Sequence, residues 1–186
     1  MISRREMLFG VGACLATSYG LPAYAHAEKF KLDEKYEPQL ISFSGYNPGT
    51  IIIDPKNHFL YLQLAAGKAR RYGVGVGRAG LAFKGQAKVG RKAKWPSWTP
   101  TANMIKRNPK KYARFAKGVP GGPTNPLGSR ALYLYRDGRD TLYRIHGTTE
   151  PSSIGRSVSN GCIRMINEHV EDLFERVPVG ARVVVL

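Results

Sequence analysis

The sequence predicts a mainly β protein with one helix near its C-terminus, and three observations carry that reading. Short runs rich in β-branched and aromatic residues recur from Thr50 onward, the composition that suits a pleated, half-buried surface. Turn signals separate these runs, notably Pro55-Lys56-Asn57 and Asp137-Gly138. Only one stretch, from Asn167 to Val177, repeats apolar residues at helical spacing.

The chain opens with Arg4 and Arg5, an apolar run from Met7 to about Leu21, and small residues at Ala23-Tyr24-Ala25, with Ala25-His26-Ala27 as a second cleavage option. That order is a secretory signal peptide over residues 1–25. It is too short and too glycine-dotted for a membrane span, so no stable span is expected after cleavage. Ser3-Arg4-Arg5-Glu6-Met7-Leu8 resembles a twin-arginine export signal, an ordinary secretory signal being the alternative. Val11-Gly12-Ala13-Cys14 only faintly matches a lipoprotein cleavage box, because apolar sequence continues past it.

Residues 26–49 are polar and proline-dotted, which reads as an arm or linker leading to a domain over 50–186. Ile51–Asp54 and His58–Leu64 read as a hairpin, and Arg71–Gly77 as a third strand. Glycines 73, 75 and 77 alternate at period two, with no Lys-Ser/Thr ending and no following helix, so they do not form a phosphate loop. Residues 84–128 read as a long, basic, irregular segment broken by six prolines, and loops of that length tend to be functional. Trp95 and Trp98 inside it are candidates for one wall of a substrate groove, or else cover the core edge.

Ala131–Tyr135 and Thr141–His146 form a hairpin of alternating polarity, which leaves His146 at a strand end. Asn167 is placed to cap a helix, with Glu168 and Glu171 near its positive end. Val170, Leu173, Phe174 and Val177 make its apolar stripe, Pro178 and Gly180 stop it, and Arg182–Leu186 reads as a closing core strand. No internal repeat is visible.

With 42% hydrophobic and 23% charged residues in 186, the chain can bury a proper core, which excludes wholesale disorder. Its net charge of +16, from 29 Lys and Arg against 13 Asp and Glu, suits a polyanionic partner, a solvated basic surface being the plain alternative. An export signal argues against nucleic acid and for a polyanion of the cell envelope.

Signal cleavage removes Cys14 and leaves one thiol, Cys162. In an oxidising compartment an unpaired cysteine is either reactive or buried and inert. His146 lies sixteen residues upstream, and an imidazole is the usual means of generating a thiolate near neutral pH. Gly161 permits unusual dihedrals beside the sulfur, and amides around it can converge on an oxyanion. Ser159 can stiffen the turn, and Arg164 can bind a carboxylate or lower the thiol pKa. The plainer readings are a small core cysteine and a backbone-bonded histidine. A zinc site from His146, Cys162 and His169 lacks any close ligand pair.

His146-Gly147-Thr148 followed by Ser159-Asn160-Gly161-Cys162-Ile163-Arg164-Met165 resembles the catalytic signature of the L,D-transpeptidase (YkuD-domain) family. Asn125-Pro126-Leu127-Gly128 and the Leu132–Ile145 hairpin are similar to that family's approach to its histidine, so the resemblance runs from about Thr50 to Leu186. It implies a β-sandwich or flattened barrel and cysteine acyl transfer on peptidoglycan stem peptides, in the periplasm, without a metal or organic cofactor. Cys162 would be the nucleophile, His146 its base, and the Gly147 carbonyl the group orienting the ring. Backbone amides of Asn160, Gly161 and Cys162 would form the oxyanion hole, and Arg164, Ser159, Tyr143, Trp95 and Trp98 are candidates for substrate contact. Many members carry histidine where this chain has Asn160, a position expected to contribute mainly its backbone. The acceptor is an amine of a second stem peptide, water, or a lysine of an envelope protein. Two other readings are a non-catalytic peptidoglycan-binding module and a sortase-like enzyme, whose arginine would lie well downstream of the cysteine.

Overall fold

The computed structural model describes residues 30–186 except 80 and 82; the expected signal peptide and Cys14 lie outside the described residues. In chain order the elements are β1 (Gln39–Ser42), β2 (Ile51–Asp54), β3 (Phe59–Ala65), β4 (Lys68–Gly73), β5 (Val76–Gly77), β6 (Gly85–Lys94), α1 (Ala102–Arg107) and α2 (Pro109–Tyr112). They continue with β7 (Arg130–Arg136), β8 (Arg139–His146), β9 (Ser157–Ser159), β10 (Ile163–Arg164), α3 (Asn167–Arg176) and β11 (Arg182–Val185).

Nine strands make one sheet in the order β1-β4-β3-β2-β11-β6-β7-β8-β10, and β5 pairs with β9 apart from it. The fold is mainly β, as the sequence predicts. Its sheet is open, with β1 and β10 at the edges, so no closed barrel is formed among the described residues. The C-terminal strand β11 lies in the middle, parallel to β2 and antiparallel to β6. Ile51, Ile52 and Ile53 of β2 are all buried, so this strand reads as a continuous apolar run rather than an alternating one.

Three elements depart from the sequence reading. The arm is not only a linker: Gln39–Ser42 pairs with β4 as an edge strand. Phe43 stacks on Tyr61 with 4.5 Å between ring centroids, and Tyr36 packs on Phe59 at 5.7 Å. Residues 84–128 are less irregular than expected, since their first part is the ten-residue strand β6. Only Ala87 and Val89 of β6 are fully buried, so its lysines mask the alternation. Lys92 instead lies over the Phe174 ring and donates to the Phe174 and Val177 carbonyls at 2.5 and 2.7 Å. There it satisfies orphan acceptors at the C-terminus of α3 and meets the negative end of its dipole. Later in the same segment the chain forms α1 and α2, so the expected single helix, α3, is one of three.

Helix α3 packs on β7 and β8 through Val170, Leu173 and Phe174. Its N-cap is Ile166, not Asn167. Asn167 is the first helical residue, and its Oδ1 accepts the Ser129 N–H at 3.2 Å. The side chain therefore latches the loop entering β7 rather than capping its own helix.

Candidate active site

Parallel pairing brings His146 and Cys162 together. Ile163 faces Ile145 and Arg164 faces His146 across β10 and β8, and Met165 N–H donates to the His146 carbonyl at 2.8 Å. The intervening loop is tied from its other side. Gly75 and Arg164 exchange backbone bonds at 2.9 and 2.8 Å, and Gly155 N–H donates to the Val74 carbonyl. The period-two glycines have a packing role here: a Cβ on Gly73 or Gly155 would stand 2.4 Å from atoms of Tyr36, and one on Gly75 would meet the Ser153 carbonyl at 2.5 Å. The arm thus closes against the back of the catalytic loop.

The turn before the sulfur is built by Ser159. Its hydroxyl donates to the Cys162 carbonyl at 2.6 Å and accepts the Gly161 N–H at 3.1 Å. Gly161 sits at φ 122°, and a Cβ there would lie 2.4 Å from Tyr143 and 2.5 Å from the Leu81 carbonyl. Ser159 therefore frames the turn, and it also lines the cavity beside the sulfur. Its bond also occupies the Gly161 N–H, one of the three amides expected in the oxyanion hole.

His146 is 4% exposed, and its Nδ1 lies 2.5 Å from the Gly147 carbonyl oxygen. A carbonyl only accepts, so Nδ1 carries the proton and Nε2 is left as the acceptor. A Cβ on Gly147 would stand 2.2 Å from Asn167 Oδ1, so the latch at the head of α3 also requires glycine here. Burial pushes the His146 pKa down to about 4, against the opposing pull of the Gly147 carbonyl. Burial likewise pushes the Cys162 thiol up, while the Arg144 backbone and the charges of Arg144 and Arg164 pull it down. The resting couple is a neutral thiol beside a neutral imidazole. Arg164 acts on the thiol in the expected direction, but desolvation outweighs it. Cys162 is partly buried, and its Sγ lies 3.9 Å from the Leu142 carbonyl oxygen, the thiol's hydrogen-bond acceptor among the described residues.

The sulfur and ring share a cavity of about 620 Å³. Trp98, Met104, Tyr112 and Phe115 line it from the helical segment, and Tyr143 and Leu142 from β8. Trp98 packs edge-on against Tyr112 and Phe115 at 6.3 and 5.8 Å. Trp95 does not line this cavity; it is 48% exposed and held by its N–H to the Ser129 carbonyl. The two tryptophans are alike in sequence context, and only the turn between them turns one inward. Arg107, Lys111 and Arg114 also line the cavity. None of the three joins an ion pair among the described residues. Arg164 is committed to Glu150 at 2.5 Å.

Asn160 contributes more than backbone. Its Nδ2 donates to the Tyr112 hydroxyl at 2.9 Å, which joins the catalytic turn to the helical segment. Sequence reasoning also missed Arg144, Asp140 and Leu142. The only signal was position, since Arg144 lies two residues before His146 on one strand face. His169 does not join the site; it bonds Glu37 of the arm at 3.2 Å. Among the described residues no group of three His, Cys, Asp or Glu is arranged to hold a metal ion. None of their helices is long and apolar enough to cross a membrane.

The L,D-transpeptidase catalytic domain family (YkuD) matches residues 48–185. The chain is 37% identical over 147 residues to the probable L,D-transpeptidase YbiS of Escherichia coli, covering 78% of this chain and 46% of that protein. It is 35% identical to the probable L,D-transpeptidase ErfK/SrfK of the same species, over 80% of this chain and 47% of the relative. It thus spans about half the length of these curated relatives. A Brucella melitensis structure described as a probable carnitine operon oxidoreductase is 56% identical, with TM-score 0.58, over 83% of this chain and 96% of that one. An Enterococcus faecium L,D-transpeptidase shares the fold at 16% identity and TM-score 0.56, covering 75% of this chain and 50% of that one. By the match across residues 48–185, this chain belongs to the L,D-transpeptidase (YkuD) catalytic-domain family.

Proposed function

We propose that the protein is an exported peptidoglycan L,D-transpeptidase of the periplasm, forming 3→3 cross-links between stem peptides. One observation carries the reading: a thiol and a ring whose Nδ1 is held by the Gly147 carbonyl line one open cavity, on the two motifs of the family. The Sγ proton passes to His146 Nε2, and sulfur attacks the carbonyl of the third residue of a tetrapeptide donor. The amides of Asn160 and Cys162 stabilise the oxyanion, since that of Gly161 is held by Ser159. Collapse breaks the peptide bond to the terminal D-alanine, whose amine leaves with the proton from His146. An amine of a second stem peptide then attacks the thioester and releases Cys162. The cationic wall of Arg107, Lys111 and Arg114 suits carboxylate-bearing peptides.

The oxidoreductase description of the Brucella protein suggests another class, but in the glycine run that would cradle a dinucleotide Gly73 ends β4 against Tyr36 and Gly75 bridges Arg164 against the Ser153 carbonyl. Purified tetrapeptide muropeptides incubated with the protein test the proposal by mass spectrometry of the products. Cross-linked dimers are expected, reduced about 10³-fold or more in Cys162→Ala and His146→Ala with the thermal melt retained. Full activity in Cys162→Ala would overturn the mechanism. Tripeptides alone would make the acceptor water, and adducts on protein lysines would make the enzyme an anchoring one.

A further inference from the structure

The strand that delivers His146 is irregular just before it. Tyr133 faces Arg144 and Tyr135 faces Asp140, so the single β7 residue Leu134 stands opposite Thr141, Leu142 and Tyr143 of β8. Leu142 takes φ 62°, a conformation uncommon for a residue with a branched side chain, and is 62% exposed at the cavity. Bulges of this kind re-aim groups beside active sites, and a strained residue persists only where its surroundings over-determine it.

Here the surroundings do so. Asp140 Oδ1 accepts the Leu142 N–H at 2.8 Å. The Arg144 guanidinium grips both Asp140 oxygens at 2.6 and 2.8 Å. Thr141 Oγ1 donates to the Leu134 carbonyl at 2.6 Å and accepts the Tyr143 N–H at 3.2 Å. One consequence faces the nucleophile: the Leu142 carbonyl points at Cys162 Sγ, 3.9 Å away. The charges of the pair reach the sulfur in opposite senses, Arg144 favouring the thiolate and Asp140 the thiol.

We propose that Asp140 and Arg144 are positioning residues for Cys162: their ion pair holds the bulge that parks the resting thiol proton on the Leu142 carbonyl. Activation then needs only a rotation about the Cys162 side chain. The S–H bond breaks, the proton moves to His146 Nε2, and the electron pair stays on sulfur. The inference rests on Cys162 being the nucleophile of the proposed reaction, yet it is tested without a peptidoglycan substrate.

The measurement is iodoacetamide alkylation of Cys162 against pH, followed at the Cys162 peptide by mass spectrometry, with thermal melting as the control for folding. Asp140→Asn is expected to move the titration to lower pH and to speed alkylation at pH 7 about three- to tenfold, because the lost Leu142 acceptor and the lost carboxylate charge both favoured the thiol, whereas Arg144→Gln, which also loses a charge that favours the thiolate, is expected to move it less. Asp140→Glu, which keeps the charge, is expected to fall between. Leu142→Gly added to Asp140→Asn is expected to bring the profile back toward wild type, because glycine adopts positive φ without the ion pair. A wild-type profile in both Asp140→Asn and Arg144→Gln would overturn the proposal. So would a shift that Leu142→Gly does not reverse, since the effect would then be charge alone and not the bulge. Absence of cross-linking by the wild-type protein would overturn the proposed function and leave this profile intact.

Discussion

Residues 147–164 and residues 95–128 border the same cavity, and they are held in opposite ways. The first is a frame: both of its sides are hydrogen-bonded, Gly147, Gly155 and Gly161 have no room for a side chain, and Tyr36 and Asn167 press on it from behind. The second is a cover. Neither α1, α2 nor the turn at Ala113–Phe115 buries a residue fully. It is attached through the Trp98–Val119 backbone pair, the Asn125 side chain bonded to the Val119 and Pro120 carbonyls, and the Asn160–Tyr112 bond. The contrast separates two tasks. In the proposed reaction, nucleophile, base and oxyanion donors need fixed geometry, whereas a wall that admits a branched peptide needs shape and charge but few anchors.

The contrast is broken most severely at Gly161. Gly161→Ala places a Cβ against Tyr143 and the Leu81 carbonyl at φ 122°. Activity on muropeptides is expected to fall about 10²-fold, through a misplaced sulfur rather than unfolding. Lys110→Ala on the cover, measured alongside, is expected to stay within about twofold. Near-equal losses at the two positions would dissolve the distinction.

Acid probes the frame next. In the unfolded chain His146 binds its proton near pH 6.5, in the fold only near 4. The unfolded state therefore holds more protons between those values, and stability falls as pH falls through that window, levelling below it. The expected loss is up to about 3 kcal/mol. Burial lowers His58 and His169 as well, so denaturant unfolding of wild type and His146→Gln, compared at pH 7 and pH 4, isolates the part owed to His146. Identical pH dependence in the two would remove the buried neutral imidazole from the frame.

The smallest effect sharpens the seam between the regions. Tyr112→Phe deletes the hydroxyl that accepts from Asn160. It is expected to raise KM about two- to fivefold with kcat nearly unchanged, in keeping with one partly exposed hydrogen bond. A fall in kcat alone would place Tyr112 in the frame instead of the cover.

Much of the frame was legible because its signals are local. His146 at a strand end, the Gly161 turn and the Ser159 bridge each depend on a few consecutive residues. The strand β6 was not, because two buried residues among lysines make no hydrophobic pattern and Lys92 finds its carbonyls on a helix 82 residues later. Asn167 looked like a cap by residue type, yet a partner across the fold, Ser129, claims its side chain. Trp98 and Trp95 were indistinguishable until the turn between them was placed.

By itself the sequence determined the mainly β class, the hairpins at Ile51–Leu64 and Ala131–His146 and the helix after Cys162, and it singled out Cys162 and His146, which line one cavity. These follow from short-range periodicity and turn chemistry, which survive without the rest of the chain. Only the tertiary structure decided that the arm adds an edge strand to the sheet, that Ser159 takes the Gly161 amide, and that Asp140 and Arg144 shape a bulge beside the sulfur. Those depend on which distant groups compete for each donor and acceptor, and that competition is settled only when the chain is packed.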